Sequence, residues 1–213
     1  MAQIIDIRER LRVRHERTAT GPDGQTEFEV RLCGPDRRWL GLVGGIVARA
    51  LAGEGFHTVF DDLETAVGAP SVLILRAGRQ PLDESRGGHP PGLVVTGAAP
   101  AAAALQGCNS RSVLLTVPQD HWSPAGQDDF PGIEIPLPVT DPAPEPIDLA
   151  AACAGGAARL LGVIRWQCLE QALREELLLA DGFPIDYPLA LAFEAYHRLA
   201  PWEGVVATAT PPY

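Results

Sequence analysis

The chain contains no lysine: all 17 basic residues among its 213 are arginine. That single absence removes Schiff-base chemistry, a P-loop lysine and a Ser–Lys dyad together, although a GC-rich genome produces the same arginine-only usage. No apolar run approaches the ~18 residues of a membrane-spanning helix, and the longest, Leu40 to Ala52, is broken by Gly and Arg. The opening MAQIIDIRERLRVRHER is charged and lacks the apolar centre of a signal peptide, so a cytoplasmic location is expected. Cys33, Cys108, Cys153 and Cys168 are widely spaced with no C-x-x-C pair. Neither a zinc site nor an iron–sulfur cluster is signalled, and the expectation is reduced, buried thiols. The formal net charge of −10 argues against a nucleic-acid or anionic-membrane binder, which needs a basic surface.

Nucleophile motifs are missing as well. There is no G-x-S-x-G, and Ser71, Ser85, Ser110, Ser112 and Ser123 fall in strands or polar loops. Of the scattered histidines, His57 reads as packed within a strand and His197 as a surface helix residue. His89 and His121 lie in Pro/Gly loops near strand ends, where α/β folds build ligand sites. Glu175-Glu176 reads as a solvated helix face. No self-sufficient catalytic site is visible.

What is present is an ordinary globular composition, 46% hydrophobic and 21% charged, long enough to bury a sizeable core. Residues 1–27 read as an arm. Arg8, Arg10, Arg12 and Arg14 alternate with Glu9, Leu11 and Val13, a period-2 pattern suited to an edge strand or an extended segment, before a turn at Gly21-Pro22-Asp23-Gly24. Such an arm either docks on an acidic partner or is a solvated hairpin strand or tail. From Phe28 the pattern is strand (Phe28–Leu32), helix (Trp39–Ala52), a Gly53-Glu54-Gly55 stop and strand (Phe56–Phe60), read as a βαβ unit opening a parallel sheet. Further strands are expected at Ser71–Arg76, Leu93–Thr96, Ser112–Val117 and Ile133–Val139. Asp141 to Pro146 reads as a stiff, non-helical connector. Asp148 is then the expected cap of a helix from Leu149 to Leu161. Helices at Gln167–Ala180 and Leu189–Leu199 follow. The expected fold is α/β, a Rossmann-like three-layer sandwich with a mostly parallel sheet and C-terminal helices, formed by residues 28–200 as a single domain with a tail at 201–213.

The loop after the first strand is the candidate ligand site. A strand, Gly34 and a helix N-terminus present free N–H groups to an anion. Arg37 and Arg38 can add charge-assisted bonds to a phosphate. Asp61 and Asp62, ending the second strand, stand where a dinucleotide fold places its ribose-binding acid. The G-x-G-x-x-G fingerprint is absent, because the loop reads Gly34-Pro35-Asp36-Arg37-Arg38-Trp39. A helix start with solvated arginines is the competing reading.

The order of segments resembles the gamma subunit of 2-oxoacid:acceptor (ferredoxin) oxidoreductases, over roughly Phe28 to Leu199. The matching segments are Val30-Arg31-Leu32-Cys33-Gly34, Gly44 to Ala52, Gly55-Phe56-His57-Thr58-Val59, Ser71 to Arg76 with Gln80-Pro81-Leu82, and Gly92 to Thr96. The fullest match is Gly155 to Leu177, GGAARLLGVIRWQCLEQALREEL. Where the family has a glycine loop, this chain has Pro35 to Trp39. The resemblance implies an accessory subunit in an enzyme that oxidatively decarboxylates a 2-oxo acid to its acyl-CoA. Thiamine diphosphate and iron–sulfur clusters would belong to partner subunits, with this domain packed beside them near the coenzyme A side. Two rival readings stay open: a stand-alone Rossmann-type nucleotide-binding module, and a ligand-free interaction protein.

Overall fold

The computed structural model describes residues 27–34, 36–63, 70–82, 91–97, 102–117, 130–138, 145–179 and 184–206. The expected arm before Glu27, the loops bearing His89 and His121, and the end of the expected tail lie outside the described residues.

The first strand, β1 (Phe28–Gly34), has two unlike faces. Val30 and Leu32 enter the main core, whereas Cys33 belongs to a smaller cluster on the opposite face, as the period of two in a strand requires. Helix α1 (Arg37–Gly53) begins where the Asp36 carboxylate accepts a hydrogen bond from the Trp39 N–H at 2.8 Å, satisfying one of the free donors of its first turn. It buries Leu40, Val43, Val47 and Leu51 and gives way to Gly55, whose φ of 81° is the left-handed conformation that glycine adopts without strain.

Next come β2 (His57–Leu63) and β3 (Ser71–Gly78), which pair antiparallel with each other. β3 also pairs antiparallel with β1. The rest of the sheet is parallel: β4 (Leu93–Thr96), β5 (Val113–Thr116) and β6 (Ile133–Pro136), with the short helix α2 (Ala102–Leu105) between β4 and β5. The strand order is β2-β3-β1-β4-β5-β6. The expected α/β fold with a mostly parallel sheet is therefore present, and one detail of it is corrected. β1 and β2 run in the same direction but are not neighbours, because β3 is inserted between them. The strand–helix–strand pattern fixes the handedness of a crossover but not how many strands it passes over.

Four helices cover one face of the sheet: α1, α3 (Pro146–Leu161), α4 (Trp166–Leu179) and α5 (Asp186–Arg198). Beneath the other face, α2 with Leu105, Cys108 and Phe130 covers Cys33, Val72, Val94 and Leu114. α3 starts earlier than expected, with Pro146 in its first turn, where a missing N–H costs nothing. Its N-cap is Glu145, and Asp148, the expected cap, is instead a buried first-turn residue. The body also runs past the boundary expected at residue 200. Val205 and Val206 are buried, and the Val206 N–H donates to the Leu160 carbonyl at 3.1 Å.

Small residues set the helix spacing. A Cβ added at Gly155 of α3 would stand 2.3 Å from the Ala192 carbonyl oxygen of α5, so the two backbones touch with no side chain between. The Ala/Gly run of α3 is thus a contact surface and not merely a helix-favouring composition. Two further expectations are overturned. His57 is exposed, because β2 is the edge strand among the described residues. Glu175 and Glu176 are not a solvated face. They receive the Arg49 guanidinium of α1 at 3.0 and 2.7 Å, clamping α4 to α1.

A second clamp lies at the other end of α4, where Glu54, the C-cap of α1, meets Arg165 just ahead of it. The Glu54 carboxylate, only 10% exposed, accepts from the Arg165 backbone N–H at 2.9 Å and from its Nε at 3.0 Å. Burial pushes this carboxyl up, but the opposing Arg165 hydrogen bonds from side chain and backbone prevail, and the group is held below the usual carboxylate range. A lowered folded-state pKa means stability that is complete above the unfolded value and is lost as pH falls through the folded one. Thermal melts between about pH 6 and pH 3 should therefore show a drop in midpoint that is smaller in Glu54→Gln. The Gly155→Ala protein should lose about 1–3 kcal/mol in urea unfolding, whereas the same change at Gly41, which has open space around it, should be neutral or stabilising.

Candidate functional site

In open α/β sheets, ligands bind beyond the carboxyl ends of strands where the connections diverge. Here that point lies between β1, whose helix leads toward β2, and β4, whose helix leads toward β5. Gly34 ends β1, and Gly97 follows β4 and donates its N–H to the Cys33 carbonyl at 2.9 Å. The two glycines lie where a backbone normally bares itself to a phosphate.

Both are covered by one side chain. A Cβ at Gly34 would come 2.2 Å from Cε3 of Trp39, and one at Gly97 would come 2.5 Å from its Cζ2. The six-membered ring of the indole therefore lies on the two glycines and fills the crevice. Trp39 is 3% exposed, and its Nε1 is buried without a hydrogen-bond partner among the described residues. The adjoining helix N-terminus carries its own carboxylate, Asp36. A negative group stands where an incoming anion would otherwise sit, and this opposes phosphate binding there.

Outside the indole, a cavity of about 440 Å³ opens between the start of α1, the start of α3 and the end of α4. Trp39, Leu42, Ile147 and Leu179 form its apolar wall. Asp36, Arg38, Glu145 and Glu176 supply its charged groups. Leu179 and its neighbour Leu178 are 72% and 68% exposed, so the apolar wall continues onto the open surface at the end of α4.

The four residues singled out by sequence are not brought to one place. Gly34 lies behind the indole, and Arg38 lines the cavity. Arg37 turns toward β2, where it stands 3.7 Å from the Asp62 carboxylate, with both side chains largely exposed. Asp61 is bound to Arg76 of β3 at 2.8 Å. Because β3 intervenes, Asp61 is two strands from Gly34.

Several residues were missed. Trp39, in sequence only the end of a loop without the glycine fingerprint, is the occupant of the crevice. Glu176 and Leu179 join the cavity from a distant part of the chain. The one available signal was Arg49, the sole charged residue between Trp39 and Ala52: a lone cation on an apolar helix needs a partner. On the opposite sheet face, Glu29, 3% exposed, holds the Arg31 Nε at 2.7 Å. The Arg31 Nη1 donates to the carbonyls of Ala103, Ala104 and Gln106, closing the end of α2.

The thiols are quiet, and no disulfide joins them. Burial pushes Cys153 well up, and burial likewise raises Cys108 and Cys168, the latter helped by hydrogen bonding to Glu54. None of these three is a poised nucleophile, which requires a lowered pKa. No group of His, Cys, Asp or Glu among the described residues could hold a metal ion. No helix among them is long and apolar enough to cross a membrane.

Solved structures share this architecture. A pyruvate oxidoreductase subunit from Thermotoga maritima superposes with a TM-score of 0.59 at 20% identity, covering 82% of this chain and 97% of that one. The gamma subunit of a keto/oxoacid ferredoxin oxidoreductase from Geobacter sulfurreducens gives 0.54 at 16% identity, covering 85% and 98%. The chain shares its fold with these two subunits. The same fold is one part of a longer chain in the 2-oxoglutarate:ferredoxin oxidoreductase of Magnetococcus marinus, solved with 2-oxoglutarate, coenzyme A and succinyl-CoA bound. There the TM-score is 0.55 at 16% identity, covering 88% of this chain and 32% of that one. By sequence, no family model and no curated protein matches the chain. The resemblance read from its motifs is thus met in the gamma-subunit fold.

If the indole is what the two glycines serve, the positions are energetically coupled. Trp39→Ala should cost about 3–5 kcal/mol in urea unfolding. Gly34→Ala should be strongly destabilising alone yet nearly neutral in the Trp39→Ala background, a coupling that a double-mutant cycle measures directly.

Proposed function

We propose that this chain is a gamma-like accessory subunit of a 2-oxoacid:acceptor oxidoreductase, acting as scaffold and interface within a complex. Such a complex converts a 2-oxo acid to its acyl-CoA by oxidative decarboxylation. In this reading thiamine diphosphate and iron–sulfur clusters sit in the partner chains. The segment Gly34 to Trp39 faces a partner, or coenzyme A held with a partner. The observation that carries the reading is the agreement in fold with the Thermotoga maritima subunit over 97% of that chain's length, joined to the closure of this chain's own nucleotide crevice by Trp39. A protein whose crevice is filled from within has little use for it as a stand-alone dinucleotide site, and this disfavours the module reading.

The apolar surface supports the same reading. Leu178 and Leu179 continue the cavity wall outward, and Tyr187 and Phe193 are 48% and 47% exposed on α5. An obligate interface resembles a core cut in half, and large apolar side chains left in water on one helix layer are what such a cut leaves behind. Arg38, at the edge of the cavity, is the cation this reading offers to an acidic partner group or to a phosphate of coenzyme A.

Gentle affinity purification of the chain from its own cells should recover cofactor-bearing partners, with thiamine diphosphate and iron detected by assay. Recovery alone, as a cofactor-free monomer or homodimer, would falsify the subunit reading and promote the nucleotide-binding module. Leu179→Asp should leave the melting temperature of the isolated chain nearly unchanged while reducing partner recovery about tenfold, the effect expected of a central interface residue.

A further inference from the structure

The start of α4, at the opposite end of that helix from the cavity, carries an aromatic surface. Trp166 meets Phe193 of α5 edge to face, with the ring centres 5.0 Å apart. His197, one turn further along α5, lies 4.1 Å from Phe193 and 6.2 Å from Trp166. Buried Tyr196 supports the group from beneath. Its ring is 5.6 Å from Trp166, and its hydroxyl donates to the Ile164 carbonyl at 3.0 Å. Phe193 and His197 are exposed and Trp166 is half-buried, so a fixed aromatic cluster faces water. Aromatic side chains held in this way are the kind that fill the centres of protein interfaces.

The charges around the cluster are sorted by depth. Arg165 precedes Trp166, Arg198 follows His197, and Arg174 lies about two turns beyond Trp166 on α4. Each arginine is paired with an acid, Glu54, Glu194 and Glu170 respectively, at 3.0, 2.9 and 2.8 Å. In every pair the arginine is the more exposed side chain: 73% against 10%, 52% against 28%, and 47% against 34%. A guanidinium has five N–H donors, more than one carboxylate takes up. A chain of net charge −10 therefore turns cations outward around its aromatic cluster.

We propose that this face docks an acidic segment of a partner protein. Its apolar side chains would rest on Trp166 and Phe193, and its carboxylates would meet Arg165, Arg174 and Arg198. The charge pattern favours this occupant over two others. A second copy joined by the same face would bring like arginines together. A nucleic acid would meet a net negative chain whose arginines here already face carboxylates. The face is separate from the cavity at the end of α4, so this docking and the subunit reading can each fail without the other.

The test is an NMR titration of the isotope-labelled full chain with two peptides of one pattern, Ac-Glu-Leu-Phe-Glu-Glu-Leu-NH2 and Ac-Lys-Leu-Phe-Lys-Lys-Leu-NH2. The acidic peptide should shift the Trp166 indole N–H and the Phe193 and His197 amides. It should bind at least about tenfold more tightly than the lysine peptide, and the difference should shrink between about 0.05 and 0.5 M salt. Arg174→Gln with Arg198→Gln should bring the two affinities within about twofold, while the melting temperature stays within about 3 °C because exposed pairs add little stability. Phe193→Ala should weaken the acidic peptide about tenfold. Equal affinities for the two peptides, or a preference that survives the double substitution, would sink the proposal. It would also be overturned if the same signals moved on concentrating the chain alone, the mark of a second copy, or if an oligothymidylate bound more tightly than the acidic peptide.

Discussion

The contact between the Trp39 indole and the two glycines of the sheet crevice governs much of this molecule. Gly34 and Gly97 belong to different strands, and the ring spans both, so it ties the top of β1 to the top of β4. It also fixes how closely α1 can begin above the sheet, since Trp39 lies in that helix's first turn and its N–H is held by Asp36. The wall of the adjoining cavity is the outer side of the same ring. An architecture that commonly opens onto a ligand is here closed at its usual mouth and presents a cavity one step further out, among helix ends.

The helix layer shows how local composition becomes geometry. Gly155 and Ala192 let α3 and α5 meet backbone to backbone. Gly162, with φ of 71°, ends α3 directly against Gly204. α4 buries Leu169, Leu173 and Leu177 in the same core as α1, and charged clamps add to that packing, with Arg49 between two glutamates near the end of α4 and Glu54 with Arg165 at its start. Both clamps use arginine, whose planar fork suits paired carboxylate contacts better than an ammonium would.

Much of the fold was legible because its elements are short, periodic and separated by Pro and Gly. β4 lies where its Val-rich run placed it, and α1 where the apolar spacing of Leu40, Val43 and Val47 placed it. Strand order was not legible, since nothing in the stretch from Ser71 to Gly78 announces that it will slip between β1 and β2 in reverse. The partnership of Arg49 with Glu175 and Glu176 was hidden for the same reason. It joins residues well over a hundred positions apart, and period-based reading sees only neighbours. The crevice was the hardest case. A tryptophan in place of a glycine fingerprint reads as a loss until the coordinates show the two glycines beneath it.

Arg31 has a mechanical consequence. α2 spans only Ala102–Leu105, far too short to persist by its own hydrogen bonding. Its last carbonyls are gathered by a guanidinium anchored on the central strand and steadied there by Glu29. The short helix is therefore pinned like a hand on a dial whose spindle is β1. A push that slid that strand along its axis would show first as the unwinding of this one turn.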